Sequence, residues 1–305
     1  MSHKAGNPEN SEENWTYLNQ EEIVDLMRLR GTNVSRRTIR QLLKKHKYIK
    51  RKSQKQKAGG SCANRNEQFE NIAQKVQDFK STQDPFLSMD TKKKEQIGSY
   101  SRGNDALYGT KAESTNDHDF KNKNTIIGVP HGIYDDENKH GQIVIGSSSD
   151  TSEFSCCCIR NWWNQIGCIS YPWACRLLIL CDGGGSNSSR HYIFKEDLQN
   201  LAIEIGLDIT IAHYPPYCSK WNPIEHRFFP HVSNALRRGA TINSIEEMAE
   251  KISRTKTKTG VCTSVFIDKK EYKKGRKYSD GFKENNKIAF DDYLPKWNYT
   301  AFAHP

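Results

Sequence analysis

A chain of 305 residues, 35% hydrophobic and 27% charged, is long enough for one sizeable domain and a smaller one. No apolar run approaches the length that crosses a bilayer and the polar start lacks a signal-peptide pattern, which argues against a membrane or secreted protein. The net charge of +10 is concentrated: residues 1–60 hold fourteen Lys/Arg against six Asp/Glu, and the rest is nearly balanced, 32 against 30.

Residues 1–14 are polar and expected to be disordered. NQEEIVDLMRLRG then predicts a short helix with Ile23, Leu26 and Met27 on one face and Gly31 closing it. Ser35 is a good N-cap for a second helix, SRRTIRQLLKKHKY, with Val34 and Ile39 spaced for a hydrophobic staple. Ile39, Leu42 and Leu43 form its apolar stripe, leaving Arg36, Arg37, Arg40, Lys44 and Lys47 on the other faces. From Leu26 to Gly60 there are thirteen basic residues and no acid, which points to a polyanionic partner. Two helices joined by a tight turn, the second basic, make a helix-turn-helix pattern over residues 15–60, with RKSQKQKAGG as a basic linker. Such a helix fits the major groove of double-stranded DNA, where those five basic side chains reach bases or phosphates. The plain competitor is a helical hairpin with a solvated basic face. NRNEQFENIAQKVQDFK predicts a linking helix within residues 61–82.

From residue 83 to 260 short β-rich runs come first (PFLSMD, HGIYDDE, QIVIGS). Helix TSEFSCCCIRNWWNQIG, strand RLLILCD, helix KEDLQNLAIEIG, strand DITIAHYP and helix NPIEHRFFPHVSNALRRG follow. Strands first and then α-β-α-β-α predict an α/β domain, a mixed sheet covered by helices. Residues 261–305 read as a basic C-terminal extension. Nine cysteines include the contiguous Cys156, Cys157 and Cys158 but no C-x-x-C pair, so reduced thiols are expected and a zinc site is not.

Three acids stand out. Asp90 ends the run FLSM, Asp182 ends LLILC, and Glu225 lies in the first turn of a helix. Functional groups of open α/β sheets collect at strand ends, and such oxygens can hold two hard cations, Mg²⁺ or Mn²⁺. The glycines of DGGGSNSSR would then leave room for phosphates. Each acid also has a bland reading as a turn former, cap or helix-dipole partner, and Asp84, Asp135 and Asp136 compete with Asp90. DGGGSNSSR lacks the G-x-G-x-x-G order and any Walker lysine, which disfavours a nucleotide-binding loop.

SMDTKKKE, HGIYD, SSSDTSEF with RNWW, LLILCDGGGSNSSR, HYPPYCSKWNPIEHRFF and DYLPKWNYT together resemble the ISAzo-type insertion-sequence transposases. The resemblance spans residues 18 to 300 and implies a DDE catalytic domain of RNase H-like fold. It implies that Asp90, Asp182 and Glu225 are catalytic metal ligands for Mg²⁺ or Mn²⁺, two ions in all. It further implies cleavage at element ends with water, followed by attack of the freed 3′-OH on target DNA. Lys220, His226 and Arg227 would flank the glutamate, Ser186, Asn187 and Arg190 the second aspartate, and Lys92 and Lys93 would meet DNA after the first. A homo-oligomer on DNA is expected, in bacterial cytoplasm at the nucleoid or in a eukaryotic nucleus. The competing readings are a catalytically silent DNA-binding protein derived from such an element, and an RNase H-like nuclease with another substrate.

Overall fold

The computed structural model describes residues 4–7, 10–16, 18–49, 63–102, 110–111, 114–116, 125–237, 241–255, 257 and 260–304, with only the backbone at 4–7, 10–15 and 186. They belong to two units, residues 1–58 and 59–305. In the first, β1 (Lys4–Asn7) and β2 (Asn10–Thr16) pair antiparallel. The expectation of disorder over residues 1–14 is corrected here, because a two-stranded ribbon satisfies its backbone groups locally.

Helix α1 (Gln20–Leu29) starts at a capping box: Asn19 Oδ1 accepts from the Glu21 and Glu22 amides, and Glu22 accepts from the Asn19 amide. Helix α2 (Arg36–Lys45) starts at Ser35, whose Oγ accepts the Thr38 amide at 3.1 Å. Arg36 reaches back to Glu21 at 2.9 Å. Only Ile39 of the expected stripe is buried, and Leu42 is 41% exposed. Two short helices cover one apolar position, not three. The linker over 51–60 lies outside the described residues.

The second unit opens with α3 (Arg65–Ser81), which is part of its core and not a linker. Gln68 and Asn298 exchange amide hydrogen bonds, and Gln68 also donates to the His213 carbonyl. Ile72 and Phe79 pack against the sheet. Strand β3 (Phe86–Thr91) follows, then β4 (Glu95–Gln96), β5 (Ile127–Asp135) and β6 (His140–Gly146). Helix α4 (Ser152–Trp162) runs through a π turn, Trp163–Gly167, into the short α5 (Cys168–Ser170). Next come β7 (Arg176–Asp182), α6 (Tyr192–Ile205) and β8 (Asp208–Tyr214). The expected single helix after β8 is two, α7 (Pro223–Arg227) and α8 (Phe229–Leu236), broken at Phe228. Pro230 supplies no amide for the preceding turn. The chain ends with α9 (Ile245–Ser253), β9 (Cys262–Asp268), α10 (Phe282–Asn285), β10 (Ile288–Phe290) and β11 (Asn298–Ala301).

The sheet order is β10-β11-β8-β7-β3-β5-β6-β9, with β4 beside β5. β3, β7 and β8 are mutually parallel neighbours, β9 is parallel to β6, and the other pairs are antiparallel. The expected C-terminal extension is therefore corrected: β9, β10 and β11 extend the sheet at both edges. The centre, β6-β5-β3-β7-β8 with α4 and α6 between strands, is the RNase H-like arrangement.

Period-two alternation divides the apolar residues between two faces. Leu177, Ile179 and Cys181 join α4 and α6, while Leu178 and Leu180 meet α3. On β5 and β6, Tyr134, Ile143 and Ile145 meet α7, α8 and α9. Trp162 is wholly buried, as packing residues are. The eight described cysteines are free thiols; Cys156, Cys158, Cys181 and Cys218 are buried, and Cys168, Cys175 and Cys262 are exposed. No described helix is long and apolar enough to cross a membrane.

Two glycines set how closely α7 and α8 approach. A Cβ on Gly132 would lie 2.5 Å from Phe229 Cε1 and 2.8 Å from Ile224 Cδ1, and one on Gly141 would lie 2.3 Å from the Phe228 ring. Gly132→Ala is expected to cost about 1–3 kcal/mol in urea unfolding. Gly184→Ala, with no atom near its Cβ position, is the control and should stay within about 0.5 kcal/mol of wild type.

Candidate active site

Strand register sets the first two acids together. Met89 of β3 pairs with Cys181 of parallel β7, so Asp90 and Asp182 are the next residues of adjacent strands at the same sheet edge. The competing acids are engaged elsewhere. Asp84 pairs with Arg176 at 2.6 Å, Asp136 pairs with Arg227, and buried Asp135 accepts from Tyr171 and from residues of its own turn. Asp135 also sits opposite Leu87, toward the other end of β3.

Glu225 arrives from α7, and its placement begins three residues earlier. Asn222 precedes Pro223, which occupies the first helical turn where its missing amide costs nothing. The wholly buried Asn222 donates from Nδ2 to the Met89 carbonyl at 3.1 Å, anchoring the helix to β3 beside Asp90. Ile224 is buried in the core, and Glu225 bonds to the Asp90 side chain. Gly132, the register partner of Asp90, leaves the space in which Ile224 and Phe229 fit.

The electrostatics follow from crowding. Burial, then the hydrogen bond to Glu225 and the charge of Asp182, push Asp90 up to about 8, although the Thr91 amide donates to Asp90 Oδ1 at 2.7 Å. Burial, followed by the charge of Glu225, pushes Asp182 up to about 6. Asp182 Oδ1 is buried with no hydrogen-bond partner. Like charges this close take up protons unless a cation offsets them. All the donors are hard carboxylate oxygens, which fits Mg²⁺ or Mn²⁺. Among the described residues no three His, Cys, Asp or Glu side chains already stand as a cation cage; Asp90 and Glu225 bond to each other, and a metal would replace that bond.

A cleft of about 870 Å³ opens in front of Asp90 and Asp182. Exposed Lys93, Lys94, Arg190 and Lys296 lie on its walls with the buried Asn187. Lys92 also reaches the wall, but it is largely buried and its ammonium pairs with Glu95 at 3.1 Å. Gly183 and Gly184 line the cleft with no protein atom crowding their Cβ positions, while Gly185 has φ +72° and needs glycine's left-handed freedom.

Glu225 is not among the residues that line the cleft, and the other expected positions are not brought to it either. Arg227 is held by Asp136, exposed His226 is not on the wall, and Lys220 lies 5.5 Å from the Trp221 ring centroid. The Ser186 side chain lies outside the described residues. Arg37, Arg40, Lys44 and Lys47 are exposed in the first unit, as is the Arg36 that pairs with Glu21. The sequence reading missed Asn222, Gly132, Lys94 and Lys296. The Asn-Pro pair before Glu225 was a legible helix-start signal, and Lys94 merely continues the run TKKK. Gly132 and Lys296 have no local signal.

A mixed RNase H-like sheet with a carboxylate cluster at its parallel strand ends, facing a basic cleft, defines the class: a DDE-type domain. The profile of the Rhodopirellula transposase DDE domain matches residues 1–303, and the chain belongs to that family. No curated protein sequence matches it. Among solved structures it is similar to the Mos1 transposase paired-end complex with left transposon end, at 12% identity over 76% of this chain and 69% of that one, TM-score 0.45. The pre-cleavage Mos1 transpososome gives 11%, 76%, 69% and 0.46, and the Mos1 mariner paired end complex with Mn 12%, 76%, 65% and 0.44.

The raised carboxyls carry a pH signature. With unfolded values near 3.8 and folded values of about 6 and about 8, the metal-free folded state holds more protons than the unfolded one between those limits. Stability is thus fullest below the unfolded value and is lost as pH rises through the folded ones. In EDTA, the melting temperature of wild type should fall relative to Asp90→Asn as pH rises from about 4 to about 8. Parallel curves would show that Asp90 is not raised.

Proposed function

We propose that this transposase-family chain cleaves DNA strands at the ends of an insertion sequence and joins them to target DNA, with Asp90, Asp182 and Glu225 as catalytic residues and ligands of two Mg²⁺ or Mn²⁺ ions. The observation that carries the reading is the register that puts Asp90 beside Asp182 at the mouth of a basic cleft, with Glu225 bonded to Asp90 from α7. Bound among these carboxylates, a metal pair would activate the attacking oxygen and neutralise the leaving one. The residues themselves do the rest. Lys93, Lys94, Arg190 and Lys296 hold the phosphate backbone at the cleft by charge. Gly183 and Gly184 admit it close to Asp182. Asn222 and Ile224 hold α7 so that Glu225 stays at Asp90.

Exposed Arg37, Arg40 and Lys44 of α2 bind double-stranded DNA at the terminal repeats, with Lys47 just beyond the helix and Arg36 joining if it leaves Glu21. A homo-oligomer on paired DNA ends is the expected assembly. Lys220, His226 and Arg227 keep at most a secondary DNA-binding or supporting role, since none of them is on the cleft wall.

The catalytic reading is tested by nicking of the element's own terminal repeats in Mn²⁺. Asp182→Ala and Glu225→Gln should each lose at least about 10²-fold, the scale of removing one electrostatic stabiliser of a charged transition state. Equal rates in wild type and Asp182→Ala would sink the assignment. For α2, Arg37→Glu with Arg40→Glu should weaken repeat binding and lower the slope of log affinity against log salt by about 2. An unchanged slope would remove α2 from the DNA contact.

A further inference from the structure

The loop that follows Asp182 is held at both ends by one buried cluster that the chemistry above leaves unused. At its start the Asp182 carbonyl meets His213 Nδ1 at 3.0 Å, and His213 Nε2 meets the Tyr299 hydroxyl at 3.0 Å. Burial holds His213 down to about 4, so the ring is neutral. Nδ1–H therefore donates to the carbonyl and Nε2 accepts from Tyr299. At the other end the Ser189 carbonyl accepts from Lys195 Nζ at 2.5 Å.

Lys195 is 2% exposed. Its Nζ lies 4.5 Å from the ring centroid of the same Tyr299, 5.4 Å from that of Tyr192 and 5.8 Å from that of Phe290. Burial lowers it to about 8, and no acid offsets that. Aromatic faces and one carbonyl are thus its compensation for leaving water. A cation buried this way is a poor device for stability alone, because an apolar side chain of similar volume often serves as well or better.

We propose that Lys195, Tyr299 and His213 are positioning residues of the reaction, fixing the segment from Asp182 to Ser189 at both ends and tying β10 and β11 to the catalytic carboxylates. The inference rests on the reading of Asp182 as a ligand. Between the two anchors lie Gly183, Gly184, Gly185 and Asn187, which form part of the cleft wall. Glycines do not hold a loop in one conformation by themselves, so the cluster supplies the rigidity that Asp182 and its neighbours lack.

The test compares wild type with Lys195→Met by melting, hydrogen exchange and nicking in Mn²⁺. The expected result is a melting temperature unchanged or higher, amide exchange over residues 183–190 faster by about 10-fold, and a nicking rate at saturating DNA lower by about 10-fold. The half-saturating DNA concentration should stay within about twofold, since the phosphate-binding charges are untouched. Tyr299→Phe keeps the ring beneath the ammonium but removes the hydroxyl, so exchange should quicken at Gly183 and Gly184 alone. Loop exchange equal to wild type in folded Lys195→Met overturns the proposal. So does a loss that merely tracks lower melting and faster exchange throughout the core. If Lys195→Met does not fold, Tyr299→Phe decides by the same exchange measurement. Wild type that fails to nick would sink the catalytic reading, while loop exchange still decides the positioning role.

Discussion

The parallel pairing of β3 with β7 is the constraint on which the rest depends. Once Met89 is opposite Cys181, two aspartates end adjacent strands at the same edge, and their charges must be reconciled in a half-buried place. Protons do so in the metal-free protein: burial raises both carboxyls first, followed by the hydrogen bond to Glu225 and the charge of Asp182 at Asp90, and by the charge of Glu225 at Asp182. A divalent cation would do so without protons. The fold holds this conflict in place because both strands are buried on their two faces, by α4 and α6 on one side and α3 on the other. A slip of one residue would carry every side chain of either strand to the opposite face, against the wrong helices.

The third acid reaches the pair by a different route. No strand carries Glu225; a short helix does, and that helix is fastened by a side-chain amide to the β3 backbone beside Asp90. Its close approach is permitted by the missing side chains of Gly132 and Gly141. Large aromatic rings fill those gaps, so the same contacts that bury Phe228 and Phe229 also set the distance from Glu225 to the strand ends. Packing and chemistry share residues here, and changes in the α7–α8 core would be felt at the site. The C-terminal strands act likewise from the other side, through Tyr299, His213 and Lys195 behind the segment that carries Asp182.

Much of this was legible in local pattern. Helices α1 and α2, the Ser35 cap, the central strands and the three acids follow from periodicity, caps and acids at the ends of apolar runs. Harder to see were contributions that act across the chain. Helix α3 reads as a linker because its polar Gln68 looks like a surface residue until Asn298, far along the chain, supplies a matching amide. Residues 261–305 read as an extension because short edge strands rich in lysine lack the apolar runs of central ones. Arg227 and Lys92 read as free basic side chains, and their pairing with Asp136 and Glu95 shows only in the fold.

The sequence by itself determined the class of fold and the order of its central elements, and marked three acids as candidates, since each is written in a stretch of a few residues: an alternating strand, a cap, a carboxylate near a strand or helix end. Only the tertiary structure decided which acids meet, which basic side chains remain available to the cleft, and what holds the loop after Asp182. Those outcomes depend on register between strands distant in sequence and on space left by absent side chains, and no local pattern encodes either one.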